Sequence, residues 1–232
     1  AWWLIFTLPL IRTYKQKYGR ERGPQDSLGH IVGGVFSEVR HTMREIASNK
    51  TILLYMIAFF FYIDGVHTVI SMATSYGSAL GIDSTQLVLA LLVTQFVAFP
   101  CAILYGRLAG RFGCKVMITA AVVAYMCIVF FAAFFLKSAV EFWILAILVG
   151  MFQGGIQALS RSYYGKIIPK DHANEYYGFY DIFGKTASII GTFLVATTTS
   201  LTGNASLGVL SIAVLLVAAL VFLLLQKDPT RE

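Results

Sequence analysis

Charge is scarce in this sequence. Only 13% of its 232 residues are Asp, Glu, Lys or Arg, while 57% are hydrophobic; a soluble domain carries about 25% charged residues. That balance excludes an ordinary water-soluble globule. Cysteine is also rare. Cys101, Cys114 and Cys127 show no CxxC spacing, so they read as small apolar helix residues and not as a metal cluster or disulfide framework. No GxxxxGK[ST], HExxH or GxSxG pattern occurs, which removes a P-loop ATPase, a zincin and a nucleophile-elbow hydrolase. His30, His41, His67 and His172 are scattered, and Asp64 is the sole acid deep in an apolar stretch. A carboxylate dyad is therefore missing. The expectation is a non-enzyme without metal or cofactor, whose chemistry is limited to proton binding and polar ligand binding between helices.

What the sequence has in abundance is long apolar runs. About 20 such residues span a bilayer as a helix. Six runs qualify, at about Ile52–Leu80, Gln86–Tyr105, Val116–Leu136, Phe142–Tyr163, Tyr177–Leu201 and Leu207–Leu225. The fold class expected is an all-α membrane protein, a six-transmembrane-helix bundle over residues 51–226. Residues 1–11 are apolar but too short to span alone and read as the end of a preceding transmembrane helix. No basic n-region precedes them, so they do not read as a signal peptide.

The basic residues sort by side. Sixteen of the eighteen Lys and Arg fall in the 12–50 linker, the 106–115 loop, the 161–176 loop and the 227–232 tail. Cytoplasmic connections carry the Lys/Arg excess, so these four segments are expected in the cytoplasm, in alternation across all six helices. The net charge of +6 then reflects orientation and contact with anionic lipid, and calls for no nucleic-acid partner. Within the linker, Val32, Phe36, Val39, Met43 and Ile46 recur at helical spacing. They predict an amphipathic helix over about 30–49, at the membrane surface or against the bundle.

Several spans carry polar groups. Asp64 lies ~18 Å into the first, near the midplane; His67 follows one turn on, and Ser71, Thr74, Ser75 and Ser78 continue the stripe. A charge at that depth costs about 2.5–3.5 kcal/mol and must face protein or water. Asp64 and His67 could be a functional site or an interhelical hydrogen-bonded pair. The fourth span holds Gln153 and Gln157, either lining a cavity or joining helices, beside a Gly150–Gly154 GxxxG pair. In the fifth, Asp181 and Lys185 are one turn apart and could pair, and Lys185 lies ~12 Å inside the span. Tyr62, Tyr176, Tyr177 and Tyr180 stand next to these polar groups.

The loop GRLAGRFGCK (residues 106–115) resembles the cytoplasmic signature loop of the major facilitator superfamily. Gly106, Leu108, Ala109, Arg111, Gly113 and Lys115 match, while Gly110 replaces the usual Asp and Cys114 a basic residue. YIDGVHTVIS and QGGIQALSRSYYGKIIP further resemble the vacuole-effluxer-like branch, which includes fungal autophagy-related vacuolar amino-acid effluxers and bacterial relatives. Tyr62, Asp64, Gly65 and Thr68 match the first motif; Gln153, Gly154, Gly155, Gln157, Ala158, Leu159, Ser160 and Arg161 match the second. His67 departs, standing where an amide side chain is more usual. The resemblance covers the C-terminal half of such a protein. It implies a twelve-helix transporter whose N-terminal six-helix half is this bundle's partner, in the plasma membrane if bacterial and in the vacuolar membrane if fungal.

Together these readings point to half of a secondary active transporter working by alternating access. It would move a small polar solute, amino acids among them, with proton coupling. The expected solute and proton site comprises Asp64, His67, Ser71, Tyr62, Gln153, Gln157 and Lys185. Asp64 would bind a proton or the solute amine, and Lys185 a carboxylate. Arg107 and Arg111 would gate the cytoplasmic side through Asp181 or Glu175. The alternative is a non-transporting membrane receptor or scaffold whose polar faces meet partner helices.

Overall fold

The computed structural model describes residues 7–9, 11, 40–79 and 81–229. Among them the secondary structure is helical, with no strand. Two compact units divide at His41. Of the first, Thr7, Leu8, Pro9, Ile11, Arg40 and His41 are described, all in helical conformation. The remainder of the expected 1–11 segment, the 12–29 linker and residues 30–39 of the expected amphipathic helix lie outside the described residues.

The second unit is a bundle of seven helices: α1 (Lys50–Ala79), α2 (Ser84–Phe112), α3 (Cys114–Phe135), α4 (Ala139–Ile167), α5 (Ala173–Thr186), α6 (Ile189–Thr202) and α7 (Ala205–Leu225). Six segments are long and apolar enough to cross a membrane, α5 and α6 together forming the fifth. The expected spans are all present, each longer than its apolar run except the first and last, whose limits nearly coincide. Helices outlast the apolar run because their ends carry caps. Asp83 accepts from Thr85 N at 2.9 Å to start α2. Ser138 and Glu141 close a capping box on α4, and Asn204 accepts from Ser206 N to start α7. Each satisfies amides that a helix start leaves open.

Packing follows the small residues, as expected where lipid offers no hydrophobic drive between helices. A Cβ on Gly150 would fall 2.6 Å from Thr94 O, and one on Gly154 would fall 2.8 Å from Ala98 O. The GxxxG pair thus lets α4 lie directly on α2, and Thr94 Oγ1 donates across to Ala146 O at 3.2 Å. α1 is the most enclosed helix and touches every other one. Outward faces stay apolar, with Phe96, Phe99, Phe193 and Leu201 all more than 70% exposed.

The helix ends gather as the charge alternation requires. At one end Gln226 Nε2 donates to Thr51 O (3.4 Å) and Tyr163 Oη (3.1 Å), Tyr163 Oη donates to Asp228 Oδ1 (3.3 Å), and Lys115 Nζ donates to Gln226 O. These contacts tie the starts of α1 and α3 to the ends of α4 and α7. At the other end Tyr76 Oη meets Ser206 Oγ at 3.0 Å. Residues 42–48 form a helical turn docked on α5. Thr42 Oγ1 donates to Glu175 Oε2 at 2.5 Å, Tyr176 Oη donates to Glu45 Oε2 at 3.3 Å, and Ile46 is buried. Of the two placements foreseen for this segment, its described part takes the one against the bundle.

Candidate functional site

The fifth span is not one helix. Ala187 is extended and Ser188 sits in the left-handed region at φ 85°, between the end of α5 and the start of α6. Nothing in Tyr177–Leu201 announces this, since the segment has no proline. Thr186 prepares the break locally: its Oγ1 donates back to Ile182 O (2.9 Å) and Phe183 O (3.2 Å), competing for carbonyls the next turn would use. A non-glycine residue at positive φ costs on the order of 1 kcal/mol or more. Broken backbone inside a membrane also needs internal hydrogen-bond partners.

Asp64 supplies them. Its Oδ1 accepts from Ser188 N at 2.7 Å, Gly191 N at 3.0 Å and Thr68 Oγ1 at 3.3 Å. A side chain of α1 therefore caps the first turn of α6. About 20 Å separates Asp64 from the start of a helix ~45 Å long, and the residue is fully buried. The insertion cost of about 2.5–3.5 kcal/mol is matched by amide donors to a carboxylate, worth about 1.5–3 kcal/mol each, and by the positive end of the α6 dipole. Gly191 is required by this contact, because a Cβ there would lie 2.1 Å from Thr68 Oγ1 and 2.9 Å from Asp64 Oδ1. The second oxygen, Oδ2, is buried with no partner among the described residues.

Beside this junction is an open cavity of about 450 Å³. It is lined by Phe59, Ile63 and His67 of α1, by Gln157, Ala158 and Arg161 of α4, and by Tyr180, Asp181, Gly184 and Lys185 of α5. Five residues singled out by sequence, namely His67, Gln157, Tyr180, Asp181 and Lys185, thus line one cavity. The α1 face presented is Phe59–Ile63–His67, at spacing four. Asp64 and Thr68 stand one position around the helix and point into the α1–α6 contact instead.

The remaining expectations resolve as follows. Asp64 and His67 do not hydrogen-bond; the carboxylate partners are backbone amides and Thr68. Asp64 and Lys185 do not face a common space, because the acid is sealed behind the cavity wall. Tyr62 is fully buried, its Oη 2.6 Å from Ser160 Oγ and 3.2 Å from Tyr55 Oη, a hydroxyl chain joining α1 to α4. Ser71 is exposed and donates to Thr68 O at 3.2 Å. Gln153 is half-buried, its Oε1 without a partner among the described residues. Asp181 pairs with Arg161 (Nη1–Oδ1 3.0 Å) and not with Lys185. Glu175 is engaged by Thr42 and lies 3.4 Å from His172 Nδ1. Neither acid contacts Arg107 or Arg111 in this structure. Arg111 lies over the Phe112 ring at 5.5 Å, and Arg107 is exposed.

Arg161, matched by the effluxer-like motif and grouped with the cytoplasmic cations, carries no site role in the sequence reading, yet it lines the cavity. α4 continues to Ile167, so Arg161 stands on a helix one turn below Gln157. Its guanidinium lies 5.0 Å from the Tyr177 ring centroid and 6.0 Å from that of Tyr180. Tyr177 Oη donates to the Arg161 carbonyl at 3.3 Å.

Comparison with known proteins agrees with the geometry. The family model described as "Vacuole effluxer Atg22 like" matches residues 1–229. A Bacillus subtilis protein named "Uncharacterized MFS-type transporter YxiO" is 49% identical over 230 residues, covering 99% of this chain and 52% of that protein. "Autophagy-related protein 22" of Cryptococcus neoformans is 26% identical over 94% of this chain and 41% of its own length. The Saccharomyces cerevisiae protein of that name is 27% identical over 88% of this chain and 44% of its own length. The chain therefore spans about half the length of the curated relatives it matches. It is a multi-pass integral membrane protein that belongs to the vacuole effluxer Atg22-like family, and its six-span bundle is one half of a major-facilitator fold.

Proposed function

We propose that this bundle is half of a secondary active transporter. It moves a small polar solute, amino acids included, by alternating access, with proton coupling at Asp64. A second six-helix bundle faces the cavity and completes the path. The 42–48 helix, the α2–α3 and α4–α5 connections and the C-terminus lie on the cytoplasmic side, where the positive-inside rule puts basic loops. Family membership and the name of the Bacillus relative support a transporter. The observation that carries the mechanism is the broken fifth span beside the polar cavity, since discontinuous membrane helices mark binding sites in transporters.

Asp64 joins the two halves of the mechanism. Its buried Oδ2, without a partner among the described residues, is the atom to receive a proton, while Oδ1 holds the start of α6. Protonation removes the negative charge from the positive end of α6 and weakens both amide bonds, since bonds to a charged acceptor are roughly twice as strong as neutral ones. The α5–α6 break then loosens and the half-helices re-aim. Lys185, His67 and Gln157 contact the solute.

A cysteine at exposed Gln157 tests alternating access. In the full-length protein, with Cys101, Cys114 and Cys127 replaced by Ala, Gln157→Cys is labelled by a membrane-impermeant maleimide from each side of the membrane. Asp64→Asn, which mimics the protonated state, should change the ratio of labelling from the two sides. One-sided labelling that Asp64→Asn leaves unchanged contradicts the mechanism and favours a receptor or scaffold.

A further inference from the structure

The cavity's charges do more than make it polar. Three formal charges face it: Arg161 and Lys185 are positive and Asp181 is negative. His67 is the remaining titratable side chain on the wall apart from the Tyr180 phenol. Arg161 and Asp181 are paired at 3.0 Å, with side chains 56% and 46% exposed. Lys185, one turn beyond Asp181, has no ion-pair partner among the described residues. Pairs this open to solvent hold weakly and exchange readily. The guanidinium is nonetheless positioned, because its Cζ lies 5.0 Å from the Tyr177 ring centroid and 6.0 Å from that of Tyr180, and Tyr177 ties down its backbone. An oriented Arg fork is the side chain best matched to a planar carboxylate.

We propose that Arg161 is the solute-recognition residue of the cavity, that the group it reads is a carboxylate, and that Asp181 is a resident stand-in for it. On binding, the solute carboxylate takes the Arg161 fork and Asp181 is released to Lys185, its i+4 neighbour on α5. On the wall that this bundle supplies, which carries net +1, every charge remains matched when the solute carries net −1. A carboxylate with an apolar tail suits the site, since Phe59, Ile63, Ala158 and Tyr180 supply much of the rest of the wall. The exchange breaks the Arg161–Asp181 ion pair, one of the links between α4 and α5. This inference rests on the transporter reading and names the residues that recognise the solute.

Three probes with one skeleton separate the charge classes: 2-hydroxyisocaproate (anion), leucine (zwitterion) and leucinamide (cation without a carboxylate). Ligand-induced thermal stabilisation of the full-length protein is measured against concentration. The wild type should respond to both carboxylates, to the anion at the lower concentration, and not to leucinamide. Arg161→Gln should raise the half-effect concentration for both carboxylates on the order of tenfold or more, and Arg161→Lys should restore part of it. Asp181→Asn removes the stand-in and should tighten carboxylate binding, a gain that a purely structural ion pair would not give. A response to leucinamide equal to the others, no response to any probe, unchanged affinity in Arg161→Gln, or weaker binding in Asp181→Asn overturns the assignment. A preference for leucine over the anion overturns the net-charge argument. Failure here leaves the transporter reading to the Gln157→Cys labelling, which needs no solute.

Discussion

Gly191→Ala probes the α1–α6 junction with one methyl group. The added Cβ would lie 2.1 Å from Thr68 Oγ1, 2.9 Å from Thr68 Cβ and 2.9 Å from Asp64 Oδ1. Thr68 is buried and hydrogen-bonded to Asp64, so it has little room to turn away, and α6 must retreat from α1. Overpacking of this kind costs about 1–3 kcal/mol. The retreat also lengthens the 2.7 and 3.0 Å bonds from Ser188 N and Gly191 N to Asp64 Oδ1, each worth about 1.5–3 kcal/mol to a charged acceptor. The structure relaxes by sharing these penalties, and the net loss should be about 2–4 kcal/mol. Reversible unfolding of the full-length protein in bicelles measures it. Thr68→Ala removes the closest atom, so the double variant should recover part of the loss, a coupling outside simple additivity. A Gly191→Ala variant within about 0.5 kcal/mol of wild type, or one strictly additive with Thr68→Ala, would refute the close-contact account.

Other sites give separate expectations. Asp64→Ala leaves the amides of Ser188 and Gly191 without their acceptor inside the membrane and should destabilise by at least about 2–3 kcal/mol. Asp64→Asn keeps an acceptor oxygen and should lose much less, as the same unfolding experiment would show. Gly154→Val forces α4 away from Ala98 O and should cost about 1–3 kcal/mol of bundle stability, read as a lowered unfolding midpoint. Asp83 lies in the α1–α2 connection, and its hydrogen bonds with Thr85 hold its carboxyl below the usual carboxylate range. A depressed acid stabilises above its unfolded pKa and loses that contribution as pH falls through the folded value. Protection factors at the first amides of α2, which correct for the intrinsic pH dependence of exchange, should therefore fall on acidification, and Asp83→Ala should abolish the fall.

Much of the bundle was readable from hydropathy and charge, because both are imposed by the bilayer. The six spans and a close helix approach at Gly150 and Gly154 follow from local sequence; that the partner is α2 comes from the structure. The break in the fifth span does not, since its cap comes from Asp64, 124 residues before Ser188, and long-range capping leaves no local signature. Asp64 was recognisable as a buried acid needing partners, but those partners are backbone amides, which every residue carries. Tyr62 and His67 share a motif and part company because five residues of helix leave them about 140° apart around the axis, the first in the Tyr55–Ser160 network and the second in the cavity. Arg161 is legible as a motif match but not as a site residue, because counting it with the loop cations hides that α4 continues to Ile167 and keeps it on the helix face of Gln157.

The central claim, that Asp64 is both the cap of α6 and the proton site, is tested most directly by flux. Full-length wild type and Asp64→Asn are reconstituted in proteoliposomes, a pH gradient is imposed, and movement of amino acids and their deaminated carboxylates is followed. The account predicts gradient-driven flux in the wild type and none in a folded Asp64→Asn protein. Equal gradient-driven flux in both would contradict it and leave Asp64 a structural cap alone.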